Sequence, residues 1–499
     1  MTQTITRGRR TDACAWRRAV SDALTGGARF AGLYATEATD GTEVVAVMVG
    51  RELVETISCL AEPGRDGAAH VPSLVPVAPA AFWYERAAHD LSGVVADGHP
   101  RLDPLLLPLP AGAPRPLPGG AAASTEWERP EPRGPMDVTG EVFSLAWGPV
   151  RSGVSESIEF LLETPGEDIP HLNIRPHFKH RGIAKQFEGR DVADGMLVAE
   201  RVEGVATVAH ALAYCHAMES LAGVEVPRRA GLVRVVHAEL ERIANHLDVT
   251  MKLADAAGLV VATARFGAHK EAVLRLVSRL TGSRFARGLV VPGGVRPGPA
   301  LPDQATLAEL ARLRAAIRSD IAALESSPSF LDRLRTTGVL STTRAARFAA
   351  LGPIGRGSGV DDDGRRVRPT DAYADLPAVE RARFDSGDAL ARARVRWHEI
   401  DASIALIAAA VRELAGTVDG PWAVPVPPVD GTGIGWAEGP HGEVLYVVHI
   451  DAGRIRRCFA RSPALHNLVL LHDVIHTDIF TDLPFIEASF GLSYAGVAM

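Results

Sequence analysis

Cysteine is scarce in this chain. Cys14, Cys59, Cys215 and Cys458 are scattered through 499 residues, and no two form a C-x-x-C pair. That spacing argues against a disulfide-stapled scaffold and against paired-thiol zinc modules; it reads as reduced, separately buried thiols. No run of about 18 apolar residues occurs, so no membrane-crossing helix is expected. Arg7, Arg9 and Arg10 are not followed by an apolar stretch of signal length, and no secretory signal is expected. Positive charge has no surplus either. The net charge of −7 argues against nucleic acid as the main partner, because phosphate binding needs clustered Lys and Arg.

What is present is an ordinary globular profile, 46% hydrophobic and 23% charged, in a chain long enough for several domains and a large core. Residues 1–107 read as a small α/β unit. Val44–Val49 and Val71–Val77 are expected strands, with Arg51–Leu60 as a short helix between them. Residues 108–135 are dense in Pro, Gly and Ala, too poor in large apolar side chains to build a core, and read as a linker. Residues 136–499 form the second unit. Thr139–Trp147 and Ile158–Glu163 alternate like strands. Ala199–Ala222, Leu232–Ala257, Lys270–Thr281, Thr306–Ser326 and Ala391–Leu414 read as helices; in the second of these, apolar residues recur mostly every three or four positions. Glu443–Asp451 and Arg454–Ala460 read as a hairpin. The fold class expected is α+β, a small α/β domain followed by a mainly helical body with small β elements.

Two blocks of motifs then stand out. Tyr84-Glu85-Arg86 through Asp90-Leu91-Ser92-Gly93-Val94, followed by Gly98-His99-Pro100 and Leu105-Leu106-Leu107-Pro108, resembles the signature of the C-type subunit of complex I, departing at Ala87, His89 and Ser92. A longer block runs from Gly148-Pro149-Val150 through His180-Arg181-Gly182-Ile183, Phe187-Glu188-Gly189-Arg190 and Glu200-Arg201-Val202. It continues through Glu241-Arg242-Ile243-Ala244-Asn245-His246, Pro292-Gly293-Gly294 and Gly357-Ser358-Gly359 to Glu438-Gly439-Pro440. This block resembles the D-type subunit of complex I and, more closely, the large subunit of membrane-bound nickel–iron hydrogenases. Together they imply a fusion of C-type and D-type complex I subunits, whose second domain has a hydrogenase large-subunit-like fold.

The resemblance also shows what is missing. The relatives hold nickel and iron with two C-x-x-C motifs, and such a centre wants soft thiolates. Here Glu203 and Ala206 stand at the first pair of positions, and Ser493 and Gly496 at the second. His441 stands where the relatives carry Arg, and Ala184 where they carry Glu. The quinone-contacting Tyr of the D-type subunit aligns with Gly204, and the loop Gly148–Gly153 lacks the partner His. No metal bound by this chain is expected, and it is not expected to be an active nickel–iron hydrogenase by itself.

The residues left to line the pocket are Glu203, His210 and His441. Glu203 is expected early in a helix, where burial would raise its pKa and fit it to relay protons; the bland alternative is a pairing with Arg181 or Arg201. Filling of the pocket by Phe485, Phe490 and Tyr494 would favour a non-catalytic role. His472 and His476 stand four apart, a spacing seen in metal-binding helices, but H-D-x-x-H places no Glu for base chemistry. His237, His246 and His269 read as core or surface histidines. Gly431-x-Gly433-x-Gly435 and Gly355-x-Gly357-x-Gly359 lack the strand-to-helix context of a phosphate cradle and read as turns that let the backbone pass closely.

The resemblance implies a peripheral-arm subunit of a membrane-associated, complex I-like oxidoreductase complex, on the inner face of the membrane. Its partners would be a small iron–sulfur subunit and membrane-arm subunits. Iron–sulfur clusters would sit in those partners, with quinone as the candidate ligand of the pocket. The alternative is an assembly or conformational-coupling subunit of such a complex.

Overall fold

The computed structural model describes residues 5–51, 53–65, 67–109, 113–118, 142–151 and 156–499. Most of the expected linker, and Ser152 and Gly153 of the loop noted above, lie outside the described residues.

The N-terminal part is built on a four-stranded sheet of β1 (Ile5–Thr11), β2 (Arg29–Ala38), β3 (Gly41–Val49) and β4 (Leu53–Leu60), in the order β1-β4-β3-β2. β1 runs parallel to β4; the other neighbours are antiparallel. Helix α1 (Ala13–Thr25) opens on Asp12, whose carboxylate accepts from Ala15 N at 2.7 Å, satisfying a backbone donor that the first turn leaves free. It buries Trp16, Ala19 and Val20, at i, i+3 and i+4, on one face. The segment expected as a short helix, Arg51–Leu60, is mostly strand β4. Val54, Thr56 and Ile57 are β-branched, and pairing with both β1 and β3 overrides any local helical tendency. β5 (Glu62–Pro63), β6 (Ala69–Pro72) and β7 (Val94–Asp97) make a second small sheet, with α2 (Phe82–Ser92) between β6 and β7 in the chain. The strand expected over Val71–Val77 thus ends at Pro72.

The C-terminal part begins with a meander of β8 (Phe143–Trp147), β9 (Glu159–Thr164) and β10 (His171–Arg175). Short helices α3 (Ile183–Phe187) and α4 (Val192–Ala199) lead to α5 (Thr207–Ala222), α6 (Arg228–Ala256) and α7 (Val260–Thr281). A ribbon of β11 (Val290–Val291) and β12 (Gly294–Val295) precedes α8 (Gln304–Glu325), α9 (Pro328–Leu334), α10 (Thr342–Arg347), α11 (Gly352–Gly357), α12 (Gly364–Val367) and α13 (Ala389–Ala415). The antiparallel sheet β13 (Gly431–Gly439), β14 (Gly442–Asp451) and β15 (Arg454–Arg461) follows, then α14 (Pro463–Leu468), α15 (Leu471–Val474) and α16 (Leu483–Phe490). The fold is α+β.

The middle strand β14 divides two apolar cores. Its alternate residues Val444, Tyr446, Val448 and Ile450 join the helical core around α5, α6 and α13. Leu445 and Val447 join the core that includes the N-terminal sheet. This is the period-two consequence of a strand buried on both faces. Helix α5 lies so close to β13 that a Cβ at Gly433 or Gly435 would overlap the backbone of Ala217 and Ala213. That contact accounts for the Gly-x-Gly-x-Gly spacing, on a strand and not at a turn.

The N-terminal sheet packs directly on β15. Tyr34 stacks on Phe459 at 4.8 Å between centroids. Gly32 faces Phe459 so closely that a Cβ there would lie 2.8 Å from the ring. Arg29 Nη2 donates to Glu443 at 2.6 Å and Arg29 Nε to Asp362 at 2.8 Å.

Candidate functional site

Helix α4 ends at Ala199, and the chain turns through residues 200–206 before α5 begins. Glu203 sits in that turn, ahead of the helix in which it was expected, and the single helix expected over Ala199–Ala222 is broken there. Its carboxylate points inward. His210, one turn into α5, bonds Glu203 Oε1 through Nε2 at 2.7 Å and Tyr446 Oη through Nδ1 at 2.9 Å. Neither Glu203 nor His210 has an exposed side-chain surface. A carboxylate only accepts, so Nε2–H donates to Glu203, and in neutral His210 Nδ1 accepts from the Tyr446 hydroxyl. The three groups form one buried hydrogen-bonded chain.

Burial opposes the Glu203 charge, but the hydrogen bond from His210 and the nearby His441 and Ser462 outweigh it. Together they hold the carboxyl below its ordinary value. The raised pKa expected from burial alone is therefore reversed by its partners. Neither expected arginine pairs with it. Arg181 donates to the carbonyls of Arg201, Val202 and Ala495, tying the Glu203 turn to the C-terminal segment. Arg201 donates to Leu197 O.

His441 lies in the β13–β14 turn, buried, and is the third group of the cluster. Burial is the main cause that pushes it down to about 3, against the pull of Glu203. It is a neutral imidazole at ordinary pH.

Helix α6 fixes these loops. Glu241 accepts from Val208 N at 2.7 Å and Ala209 N at 3.0 Å, capping the start of α5. Arg242 donates to the carbonyls of Glu438 and Gly439, just before His441. Asn245 donates to Val205 O at 2.5 Å. His246 pairs with Glu399 at 2.8 Å. The Glu241–His246 motif is thus a clamp on both pocket loops. Burial, reinforced by the Glu203 charge, lifts Glu241 to about 8 despite its backbone donors. A cleft of about 70 Å³ behind the Glu203 turn is lined by Gly204, Glu241, Asn245 and His237 among others. A Cβ at Gly204 would meet open space.

Ser493 and Gly496, expected from the sequence at the second pair of thiolate positions, lie beside this cluster. Ser493 Oγ donates to Glu156 at 3.0 Å, and Glu156 also accepts from Tyr494 N. A Cβ at Gly496 would lie 2.7 Å from Glu203 Oε2 and 2.5 Å from Ser462 Oγ. A side chain at 496 would therefore displace Ser462 Oγ and the Glu203 carboxylate. Ala206 and Gly496 offer no donor atom, and Glu203 occupies the space a side chain at 496 would need. These residues do not fit a thiolate-held nickel–iron centre. Among the described residues, no group of three or more His, Cys, Asp and Glu side chains is arranged to hold a metal.

Phe485 and Phe490 are buried, but they pack under Arg333 and Arg392. Tyr494 bonds Glu487 and meets Phe160 edge-on. His472 and His476 do not share a helix, because α15 ends at Val474. His237 Nδ1 bonds Val233 O while its buried Nε2 has no partner among the described residues, and His269 bonds Asp320. Tyr446, Ser462 and Glu156 were not foreseen from the sequence. For Tyr446, the alternation of β14 was the available signal.

Residues 257–426 match the family described as "Respiratory-chain NADH dehydrogenase, 49 Kd subunit", and residues 12–117 match "Respiratory-chain NADH dehydrogenase, 30 Kd subunit". Residues 181–252 match "Nickel-dependent hydrogenase". The chain is 30% identical over 352 residues to the "Carbon monoxide-induced hydrogenase" of Rhodospirillum rubrum, covering 70% of this chain and 96% of that one. The chain belongs to the family of complex I 49-kDa subunits and membrane-bound hydrogenase large subunits. Within that family it carries 30-kDa and 49-kDa complex I-type domains fused in one polypeptide. Other members include "Formate hydrogenlyase subunit 5" of Escherichia coli strain K12, 27% identical over 85% of this chain and 76% of that one. An "NADH-quinone oxidoreductase" subunit of Chlorobium phaeovibrioides is 29% identical over 71% and 91%. The family fold is seen again in a chain of the "membrane-bound sulfane sulfur reductase (MBS), an archaeal respiratory membrane complex". That chain superposes with a TM-score of 0.67 at 24% identity, over 72% of this chain and 98% of that one. Among the described residues no helix is long and apolar enough to cross a membrane.

Proposed function

We propose that this protein is a peripheral-arm subunit of a membrane-associated, complex I-like oxidoreductase complex. In this reading it takes part in electron transfer coupled to ion translocation without a nickel–iron site of its own. The observation that carries the reading is the exchange of a thiolate position for Glu203, joined to His210 and Tyr446 and packed against Gly496. A buried carboxylate, imidazole and phenol in series hold and pass protons, whereas they supply no redox couple at ordinary potentials. Electrons then belong to iron–sulfur clusters in a small partner subunit, and quinone is the candidate acceptor near the vestigial pocket. Residues 1–107 act as the docking domain, 108–135 as the linker and 136–499 as the body between the iron–sulfur partner and the membrane arm. The assembly sits on the cytoplasmic face of the membrane.

The second reading, a conformational-coupling role without redox ligand, draws support from the burial of Glu203, His210 and His441. One experiment separates the two. The tagged protein is purified in mild detergent, and partners, metals and extractable quinone are measured on the same sample. Iron–sulfur and membrane partners with quinone support the redox role; the same partners without quinone support coupling. Stoichiometric nickel, or a lone soluble protein, overturns both.

A further inference from the structure

A second concave site lies away from the Glu203 pocket, where the N-terminal part meets the large body. It is a cleft of about 340 Å³, within the range of small-molecule sites. Its walls come from five separate stretches of chain, one of them β10 with His171 and Asn173. Arg86 and Phe82 project from α2, and Arg101 from the segment after β7. Arg344, Arg347 and Phe348 come from α10 and its end, and His472 from α15.

The charge is unbalanced. Arg86 is 4% exposed, and its Nε and Nη2 are spent on the Asp103 backbone and carboxylate and on Pro104 O. Arg101 shares the same Asp103, at 2.9 Å. Arg344 pairs with Asp473 at 2.7 Å. Two carboxylates thus answer three of the guanidinium groups, and the exposed Arg347 adds a fourth cation. The field is felt by His472. Burial, then His171, Arg86, Arg101 and His476, push its imidazole down to about 3. Glu163, on β9, approaches Nδ1 of the neighbouring His171 at 3.4 Å.

The cations are also framed by flat apolar surface. Arg86 lies 5.7 Å over the Phe82 ring and Arg344 4.6 Å over the Phe348 ring. Stacking fixes both guanidinium planes; their Nε and Nη2 edges already meet Asp103, Pro104 and Asp473, so each turns its Nη1 edge to a ligand.

We propose that this interdomain cleft binds a small organic polyanion, with two or more phosphate or carboxylate charges on a body that packs between Phe82 and Phe348. Such a ligand bridges the two parts of the chain, because Arg86 and Arg101 hold it from one side and Arg344 and Arg347 from the other. The cleft shares no residue with the Glu203 pocket and stands whatever that pocket does.

The test is isothermal titration of the full-length chain with inorganic pyrophosphate and, separately, citrate. The variants are Arg347→Glu and, as a charge-matched control, Arg318→Glu on the exposed face of α8. Saturable binding of at least one probe is expected, weakened about tenfold or more by Arg347→Glu, the loss of one charge-assisted contact, and unchanged by Arg318→Glu. Tighter pyrophosphate binding assigns the site to phosphate esters; tighter citrate binding assigns it to polycarboxylates. Arg347→Ala, a smaller change at an exposed position, checks that any loss is not misfolding. No saturation with either probe, or equal weakening by Arg318→Glu, overturns the proposal. So does binding of a poly-glutamate peptide that neither probe displaces, since the cleft would then be a site for an acidic polypeptide.

Discussion

Glu203 Oε1 and His210 Nε2 lie 2.7 Å apart with neither side chain reaching solvent. Seven positions separate them in the chain, and a turn and the first helical residues of α5 bring them together. The pair forms a buried carboxylate–imidazole hydrogen bond, and its partners decide the charge state that burial alone would have reversed.

Glu203→Gln keeps an acceptor for His210 but removes the charge. The folded pKa of Glu203 lies below its ordinary value of 4.5. Its contribution to stability is therefore present above about pH 4.5 and lost as pH falls through the folded value. Wild type should be more stable than the variant near pH 6, with the gap closing in more acid solution. Urea unfolding of both proteins across that range measures this; a gap independent of pH would sink the assignment.

His441 is held neutral, at about 3, while the unfolded chain takes up a proton near pH 6.5. Its folded value is depressed, so stability falls as pH drops below about 6.5. Between about pH 7.5 and pH 5.5, one such histidine costs about 1.4 kcal/mol. His441→Asn should lose that part of the pH dependence. Denaturant midpoints at the two pH values, wild type against variant, provide the check.

Restoring a side chain at Gly496 collides with Glu203 and Ser462. Gly496→Cys alone should destabilise by about 1–3 kcal/mol, as overpacking does. Combined with Glu203→Cys it should cost less than the sum of the two single changes. A double-mutant cycle of unfolding free energies reads the coupling; strict additivity would mean that the two positions are independent.

Glu443 accepts from Arg29 and Arg461 at 2.6 Å each and from Arg368 at 3.1 Å, all within the core between the two parts of the chain. These guanidinium groups outweigh burial and hold its carboxyl well below the usual range. Glu443→Gln leaves buried cations short of a counter-charge and should cost about 3–5 kcal/mol. Hydrogen exchange should rise first in β2, where Arg29 begins the strand. Unchanged protection there would show that the ion cluster does not fasten the N-terminal sheet.

The long helices were legible because their apolar residues repeat along a single element, as Val233, Val236, Leu240, Ile243 and Leu247 do in α6. The β14–β15 hairpin was legible from two apolar segments joined at Asp451–Gly453. Strand β4 was misread because its state depends on pairing with β1, more than forty positions earlier in the chain. The break at residues 200–206 was missed because Ala-rich flanks carry no stop signal strong enough to outweigh the surrounding helix.

By itself, the sequence determined the family blocks and the fusion of the two complex I-type domains. Only the tertiary structure decided that Tyr446, 236 positions from His210, completes the chain. It also decided that Gly496 packs against Ser462 and the Glu203 carboxylate. Those relationships arise where α5, β14 and the C-terminal segment pack together. A side chain's partner across such a junction is set by the shape of the whole core, which no local pattern of residues encodes.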